Sequence, residues 1–222
     1  MQNKKLSKLN WNAFYNYKNK HKGEIAVVCG TGETLNSYQP LNAIHIGCNN
    51  GVFYDKIVFD YFFFNDCRWG SQKLKDAIKN YQPNIQKFIG VFTGDAAFGC
   101  GLEFAMQSNA LWYDSQGPIW TVKKPYFSSE INQHPLGDKG GSTIFYCMQF
   151  ALFCGFSEIN IVGCDITGSK HFHRDNRRSN LSHLKHKWKL FKEFINHNHK
   201  NIKINVINPL GLKGYFNDIQ QY

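Results

Sequence analysis

The chain is poor in several things, and each shortage closes off a class of protein. None of its apolar runs approaches the ~20 residues needed to cross a bilayer; Tyr61-Phe62-Phe63-Phe64, for example, is strand-sized. Met1 to Lys22 is basic and polar without an apolar signal core, so export by a signal peptide is not expected. Charged residues make up only 19% of 222, and 19 Gly with 6 Pro is modest, which excludes coiled-coil and collagen-like chains. Acidic residues are scarce, 16 against 26 Lys and Arg, leaving a net charge of +10. There is no CxxC pair and no compact Cys/His array, so a structural zinc is not expected. The seven cysteines, Cys29, Cys48, Cys67, Cys100, Cys147, Cys154 and Cys164, fall mostly in apolar contexts and read as buried small hydrophobes in a reducing cytoplasm.

What is present points to a folded enzyme-sized domain. Hydrophobic residues reach 42% and aromatics 16%, enough for a real core and too many for a disordered chain. Apolar runs at 24–29, 43–47, 61–64, 87–92, 158–163 and 202–207 suit strands buried on both faces. Helical patterns lie between them. Ser71 to Asn80 is amphipathic, and Ser142 to Phe153 is apolar throughout with Ser142 as its cap. Ser182 to Asn196 sets Trp188, Phe191 and Ile195 on one face and lysines on the other. Alternating strands and helices predict one α/β domain of Rossmann type over 23–222, a mostly parallel sheet with helices on both faces. Residues 1–22 read as a basic arm and 166–182 as a short lid. The stretch 93–141 is Gly- and aromatic-rich, with one strand expected at 119–122.

The chemistry-bearing residues gather at expected strand ends. Gly30-Thr31-Gly32-Glu33-Thr34-Leu35 leaves the first strand. Its glycines let backbone approach a phosphate or sugar, although a GxG there also makes a plain tight turn. It is neither GxGxxG nor a Walker A loop. Cys48-Asn49 ends the second strand and Phe64-Asn65-Asp66 the third; Asn both donates and accepts, which suits a base edge or a ribose. Lys139-Gly140-Gly141-Ser142-Thr143 opens the apolar helix, where backbone amides favour an anion. Gly163-Cys164-Asp165 puts a carboxylate at another strand end, for a ribose, a metal or an acceptor hydroxyl. From Lys170 to His186 come His171, His173, Arg174, Arg177, Arg178, His183 and His186, imidazoles titrating near neutrality beside phosphate-binding cations. His171 and His173 also leave a metal reading open. His45 lies in a strand and reads as structural, whereas His197 and His199 read as surface residues.

In this order the motifs resemble the bacterial sialyltransferases of glycosyltransferase family 42, across roughly residues 24–208. That family's GxGxSL loop corresponds to Gly30–Leu35, its CN pair to Cys48-Asn49, and its aromatic-aromatic-Asn to Phe63-Phe64-Asn65. Its TSG-type helix start corresponds to Gly141-Ser142-Thr143, its GxD to Gly163-Cys164-Asp165, and its His before an E-F-aliphatic run to His183 and Glu193-Phe194-Ile195. The motility-associated factor domain and the pterin pyrophosphokinase-like enzymes share this outline.

The resemblance implies an inverting transfer from a CMP-activated sugar to a glycan hydroxyl, with no metal or other cofactor. It places Gly30, Thr31, Gly32 and Thr34 against the nucleotide phosphate or ribose, and Asn49 and Asn65 on the cytidine and phosphate region. Ser142, Thr143 and Gly163 would line the site, with His183 as general base and Asp165 beside it. One departure is plain. The family's two phosphate-stabilising tyrosines are missing between Asp165 and His183, leaving His171, His173 and Arg174 as the replacement donors. The implied partners are a nucleotide-sugar donor and a glycan acceptor, in the cytoplasm or peripheral at the inner membrane face. No nucleic acid is expected, and self-association is left open. Two other functions remain. One is a metal-dependent phosphotransfer enzyme of pyrophosphokinase type, using Asp165 and Asp66. The other is a basic nucleic-acid-binding module, which leaves the strand-end Gly and Asn residues without a purpose.

Overall fold

The computed structural model describes residues 10–65, 67, 71–91, 100–115, 127, 142–166, 170–172, 174–178 and 181–221, with backbone alone at 114 and 174–178. Among them, eight parallel strands make one sheet: β1 (Ile25–Cys29), β2 (Ile44–Cys48), β3 (Tyr61–Phe64), β4 (Gln86–Val91), β5 (Ala110–Asp114), β6 (Glu158–Val162), β9 (Lys203–Ile207) and β10 (Asn217–Ile219). Between β6 and β9 in the chain, β7 (Lys170–His171) and β8 (Arg174–Arg178) pair as a separate antiparallel hairpin. The order across the sheet is β10-β9-β6-β1-β2-β3-β4-β5. The chain therefore runs outward from β1 to β5, then returns to lay β6 on the other side of β1. That reversal between β1 and β6 is the topological switch point, where open α/β sheets bind ligands.

Helices cover both faces, as the strand runs apolar on both sides require. Helix α1 (Gln72–Asn80) begins where Ser71 Oγ accepts from the Leu74 amide, and it buries Leu74 and Ile78. Its last carbonyls, on Ile78 and Lys79, accept from the buried Lys87 ammonium of β4, and burial lowers that amine's pKa. Helix α2 (Leu102–Gln107) covers the same face. Helix α3 (Thr143–Cys154) is buried along all twelve residues and stops at Gly155, whose φ of +82° suits glycine. Helix α4 (Leu184–Asn198) inserts Leu184, Trp188, Phe191 and Ile195 beside α3, on the opposite face from α1 and α2. Its lysines do not all face water: Lys187 is buried, which pushes its amine down to about 8.

The described part of the N-terminal segment packs onto its own chain. Residues 10–15 are helical. Phe14 is fully buried against Phe88 and Phe150. Asn10 exchanges two hydrogen bonds with the backbone of Trp112, and His21 Nε2 meets Tyr61 Oη at 2.6 Å.

Several expectations need correcting or extending. Cys67 and Cys100 are joined by a disulfide, so not all seven cysteines are free hydrophobes. Their contexts are turn and strand-edge residues brought together from 33 positions apart, which spacing alone does not reveal. The other five are free, and burial pushes the thiols of Cys29, Cys147, Cys154 and Cys164 up. Strands β5 and β10 were not anticipated, and the strand expected at 119–122 lies outside the described residues. His45 is buried and hydrogen-bonded to Tyr38 Oη at 2.9 Å, fitting a structural role. His199, expected at the surface, is half-buried, and burial lowers its pKa.

Candidate functional site

The loop after β1 and the loop after β6 meet at the switch point with almost no space between them. The Gly30 amide donates to Val162 O at 2.8 Å and the Gly32 amide to Gly163 O at 2.7 Å. A Cβ on Gly30 would stand 2.3 Å from Gly163 O, so backbone occupies the place of a side chain. Gly163 has φ +69°, a conformation that opens the turn toward Asp165.

Asp165 locks the first loop from below. Its Oδ2 accepts from the Thr34 amide at 2.9 Å and its Oδ1 from the Thr34 hydroxyl at 2.8 Å. The same hydroxyl accepts from the Gly163 amide at 3.2 Å. Gly32 is required here as well, because a Cβ on it would lie 2.3 Å from Asp165 Oδ2. Burial raises the pKa of Asp165, the two Thr34 hydrogen bonds pull it down, and nearby Glu33 raises it again. The GxG loop and the GxD strand end are thus two halves of one clasp, 131 residues apart.

Asn49 forms a second tie. It has φ +47°, and its side chain spans two elements. Nδ2 donates to Thr143 Oγ1 at 3.0 Å, and Oδ1 accepts from the Asn65 amide at 3.2 Å. The end of β2 therefore fixes both the start of α3 and the end of β3. Ser142 is the N-cap of α3 in extended backbone, but its hydroxyl makes no capping bond. The first-turn amides of α3 face the same cleft and favour negative charge there.

The lid segment closes one side. His171 bridges Gly32 in antiparallel fashion, and the Phe172 amide donates to Thr31 O at 3.1 Å. His171 Nδ1 stands 3.1 Å from Thr31 Oγ1. Phe172 packs edge-on to Tyr54, anchoring the hairpin over the first loop.

One cleft collects Gly30, Thr31, Gly32, Asn49, Ser142, Thr143, Gly163, Asp165 and His171. Thr34 lies behind it in the clasp, and Asn65 adjoins it through Asn49. His183 is exposed at the N-cap of α4, between Leu181 and Leu184, both of which line the cleft. His173 lies outside the described residues, as do Asp66, Gly141 and residues 116–126. Arg174 opens β8. Sequence reasoning missed the cleft's apolar wall, Ile144, Ile166, Leu181, Leu184 and Trp188. The only signal for it was helical spacing, which reads equally as core. The cleft is partly open to solvent. Among the described residues no group of three or more His, Cys, Asp or Glu side chains is placed to hold a metal, and no helix is long and apolar enough to cross a membrane.

No family model matches the chain, and no curated protein matches it. Among solved structures it is similar to the sialyltransferase CstII from Campylobacter jejuni, determined in complex with a substrate analogue, cytidine-5′-monophosphate. The two share 19% sequence identity over 88% of this chain and 85% of that one, with a TM-score of 0.54. The eight-stranded parallel sheet with helices on both faces is thus the Rossmann-like fold of that sialyltransferase, as the order of the strand-end motifs led one to expect.

Proposed function

We propose that the chain is a glycosyltransferase that takes a sugar from a CMP-activated donor and passes it, with inversion, to a hydroxyl of a glycan. The observation that carries this reading is the switch-point cleft. Backbone comes closest there at Gly30 and Gly163, and the α3 N-terminus, Asn49 and His171 converge on it, on a fold shared with a sialyltransferase solved with CMP. The donor's ribose and phosphate would lie along Gly30, Thr31 and Gly32. The α3 amides, the free Ser142 hydroxyl and His171 would take the charge that develops on the leaving phosphate. His171, with Arg174 on the same hairpin and His173 between them in sequence, would stand in for the tyrosines this chain lacks.

In the transfer, the acceptor oxygen bonds to the anomeric carbon while the bond from that carbon to the phosphate oxygen breaks. The bonding pair leaves with CMP, and the acceptor proton passes to His183. His183 is exposed beside the cleft rim, where an incoming acceptor can reach it. The Thr34 clasp gives Asp165 the job of holding the loop rather than touching substrate. The His171 hairpin over the first loop would cover the bound donor and exclude water, so that transfer outcompetes hydrolysis. A net charge of +10 suits work near an anionic membrane face.

The test is a thermal-shift panel of CMP, CDP, UDP, GDP and ATP, with and without Mg²⁺, followed by CMP-sugar turnover by the parent and His183→Ala. We expect a shift with CMP that Mg²⁺ does not change, and a His183→Ala variant that binds CMP and does not transfer. A shift only with a triphosphate and Mg²⁺ overturns the reading in favour of phosphotransfer. Full turnover by His183→Ala removes that residue as the base.

A further inference from the structure

The cleft at the carboxyl ends of the strands has a counterpart at their amino ends. A cavity of about 530 Å³, partly open to solvent, is lined by the first residues of four adjacent strands: Ile44 of β2, Tyr61 of β3, Gln86 of β4 and Ala110 of β5. Small-molecule sites typically enclose ~300–1,000 Å³. The N-terminal segment supplies another wall through Tyr17, Lys20 and His21. This wall is fixed to the sheet. The buried His21 ring stands between two partners, with Nε2 2.6 Å from Tyr61 Oη and Nδ1 2.9 Å from Glu24 Oε2. Tyr17 Oη donates to Gln86 Oε1 at 3.1 Å, and its ring meets Tyr61 edge-on at 5.6 Å. Lys20 Nζ lies over both tyrosines, 4.9 Å and 5.8 Å from their ring centres, so the ammonium is held at the cavity wall by the rings.

Other groups around the cavity keep their hydrogen-bonding capacity. Among the described residues, Lys20 has no carboxylate partner, and the side chains of Asn84 and Asn109 have no hydrogen-bond partner. Asp60 commits only Oδ2, to the His45 amide at 2.8 Å. Donors (an ammonium and two amide groups) thus alternate with acceptors (a carboxylate and two amide oxygens) around one space. The cavity carries one lysine and one aspartate, so a phosphate or nucleotide would face Asp60 with a single ammonium to offset it. A sugar fits better: each hydroxyl both donates and accepts, and the ring brings no charge. We propose that this cavity is a second saccharide site, which holds a glycan segment away from the reacting end. Strands rise ~3.3 Å per residue, so it lies on the order of 15 Å from the cleft, too far for one sugar to touch both. The inference goes beyond the transferase reading and stands or falls without it.

The test is NMR of the isotope-labelled protein, with CMP present to fill the cleft, titrated in turn with lactose, maltotriose, chitotriose and inorganic phosphate. At millimolar concentration at least one of the sugars moves the amide signals of residues 17–21, 60–61, 84–86 and 109–111. A variant carrying Lys20→Ala with Asn84→Ala melts like the parent, because both side chains are exposed. It binds that sugar about fivefold or more weakly, as two lost hydrogen bonds predict. Signals that move only around the cleft, or that move with none of the sugars, overturn the second site and leave the transferase reading standing. Phosphate that moves the amino-end signals more strongly than any sugar shows an anion pocket and overturns the saccharide assignment. A variant that melts like the parent and keeps full sugar affinity overturns it too.

Discussion

Replacing Thr34 by Val tests the clasp that builds the candidate site. The two side chains are nearly the same shape, so the change removes one hydroxyl and little volume. That hydroxyl donates to Asp165 Oδ1 at 2.8 Å and accepts from the Gly163 amide at 3.2 Å. A hydrogen bond to a charged acceptor contributes about 1.5–3 kcal/mol, and a buried amide left without its acceptor costs about 1–3 kcal/mol. The two share one hydroxyl, so a combined loss of about 2–4 kcal/mol is expected rather than their full sum. At 2–4 °C per kcal/mol for a chain of this size, the melting temperature should fall by roughly 5–15 °C. Thr34→Ser keeps the hydroxyl and should recover most of it.

The variant should also change how stability depends on pH. In the parent, the folded pKa of Asp165 is raised above its unfolded value. Its contribution is therefore most favourable below the unfolded pKa and is lost as pH rises through the folded one. Thr34→Val removes the hydroxyl bond that pulls this pKa down, so the folded pKa climbs further. The deficit against the parent should then be larger at neutral pH than at pH 4. Urea unfolding of both proteins at the two pH values measures it. A deficit below about 0.5 kcal/mol at neutral pH, or one that grows on acidification, would refute the clasp.

Gly32→Ala places a methyl 2.3 Å from Asp165 Oδ2, so one of the two loops must move; we expect lower stability and no thermal shift with CMP, and an unchanged CMP shift would mean the loop does not carry the nucleotide. The Cys67–Cys100 bridge spans 33 residues, which in the chain-entropy treatment corresponds to about 3–4 kcal/mol. Reductant, or Cys67→Ser with Cys100→Ser, should lower the melting temperature by about 10 °C, and a melt insensitive to reductant would show that the bridge does not form in solution. His171→Ala should slow CMP-sugar turnover while leaving the protein's melting temperature close to that of the parent, because its bonds to Thr31 lie at the half-buried edge of the cleft.

Sequence by itself determined the class of fold and most of the loops that matter. Strands such as Ala26-Val27-Val28-Cys29 are apolar on both faces, which only a covered parallel sheet tolerates. The helices over 143–154 and 184–198 were legible because uniform apolarity and a 3.6-residue spacing are local properties. Gly30, Asn49, Asn65 and Gly163 stood out for the same reason: each interrupts an apolar run with a residue suited to a turn or a close approach. The edge strand β10 and the strand β5 escaped notice because Asn217-Asp218-Ile219 is polar and Ala110–Asp114 sits among turn-formers, and neither pattern is periodic. Tertiary structure alone decided the pairings. Nothing local says that Thr34 will meet Asp165, that Cys67 will reach Cys100, or that Trp188 walls a cleft rather than merely filling the core. Those contacts depend on strand order, with β6 returning to the side of β1, and on the missing Cβ atoms at Gly32 and Gly90, which let side chains from neighbouring strands into the space. Order across a sheet is set by the packing of the whole chain, and no window of residues carries it.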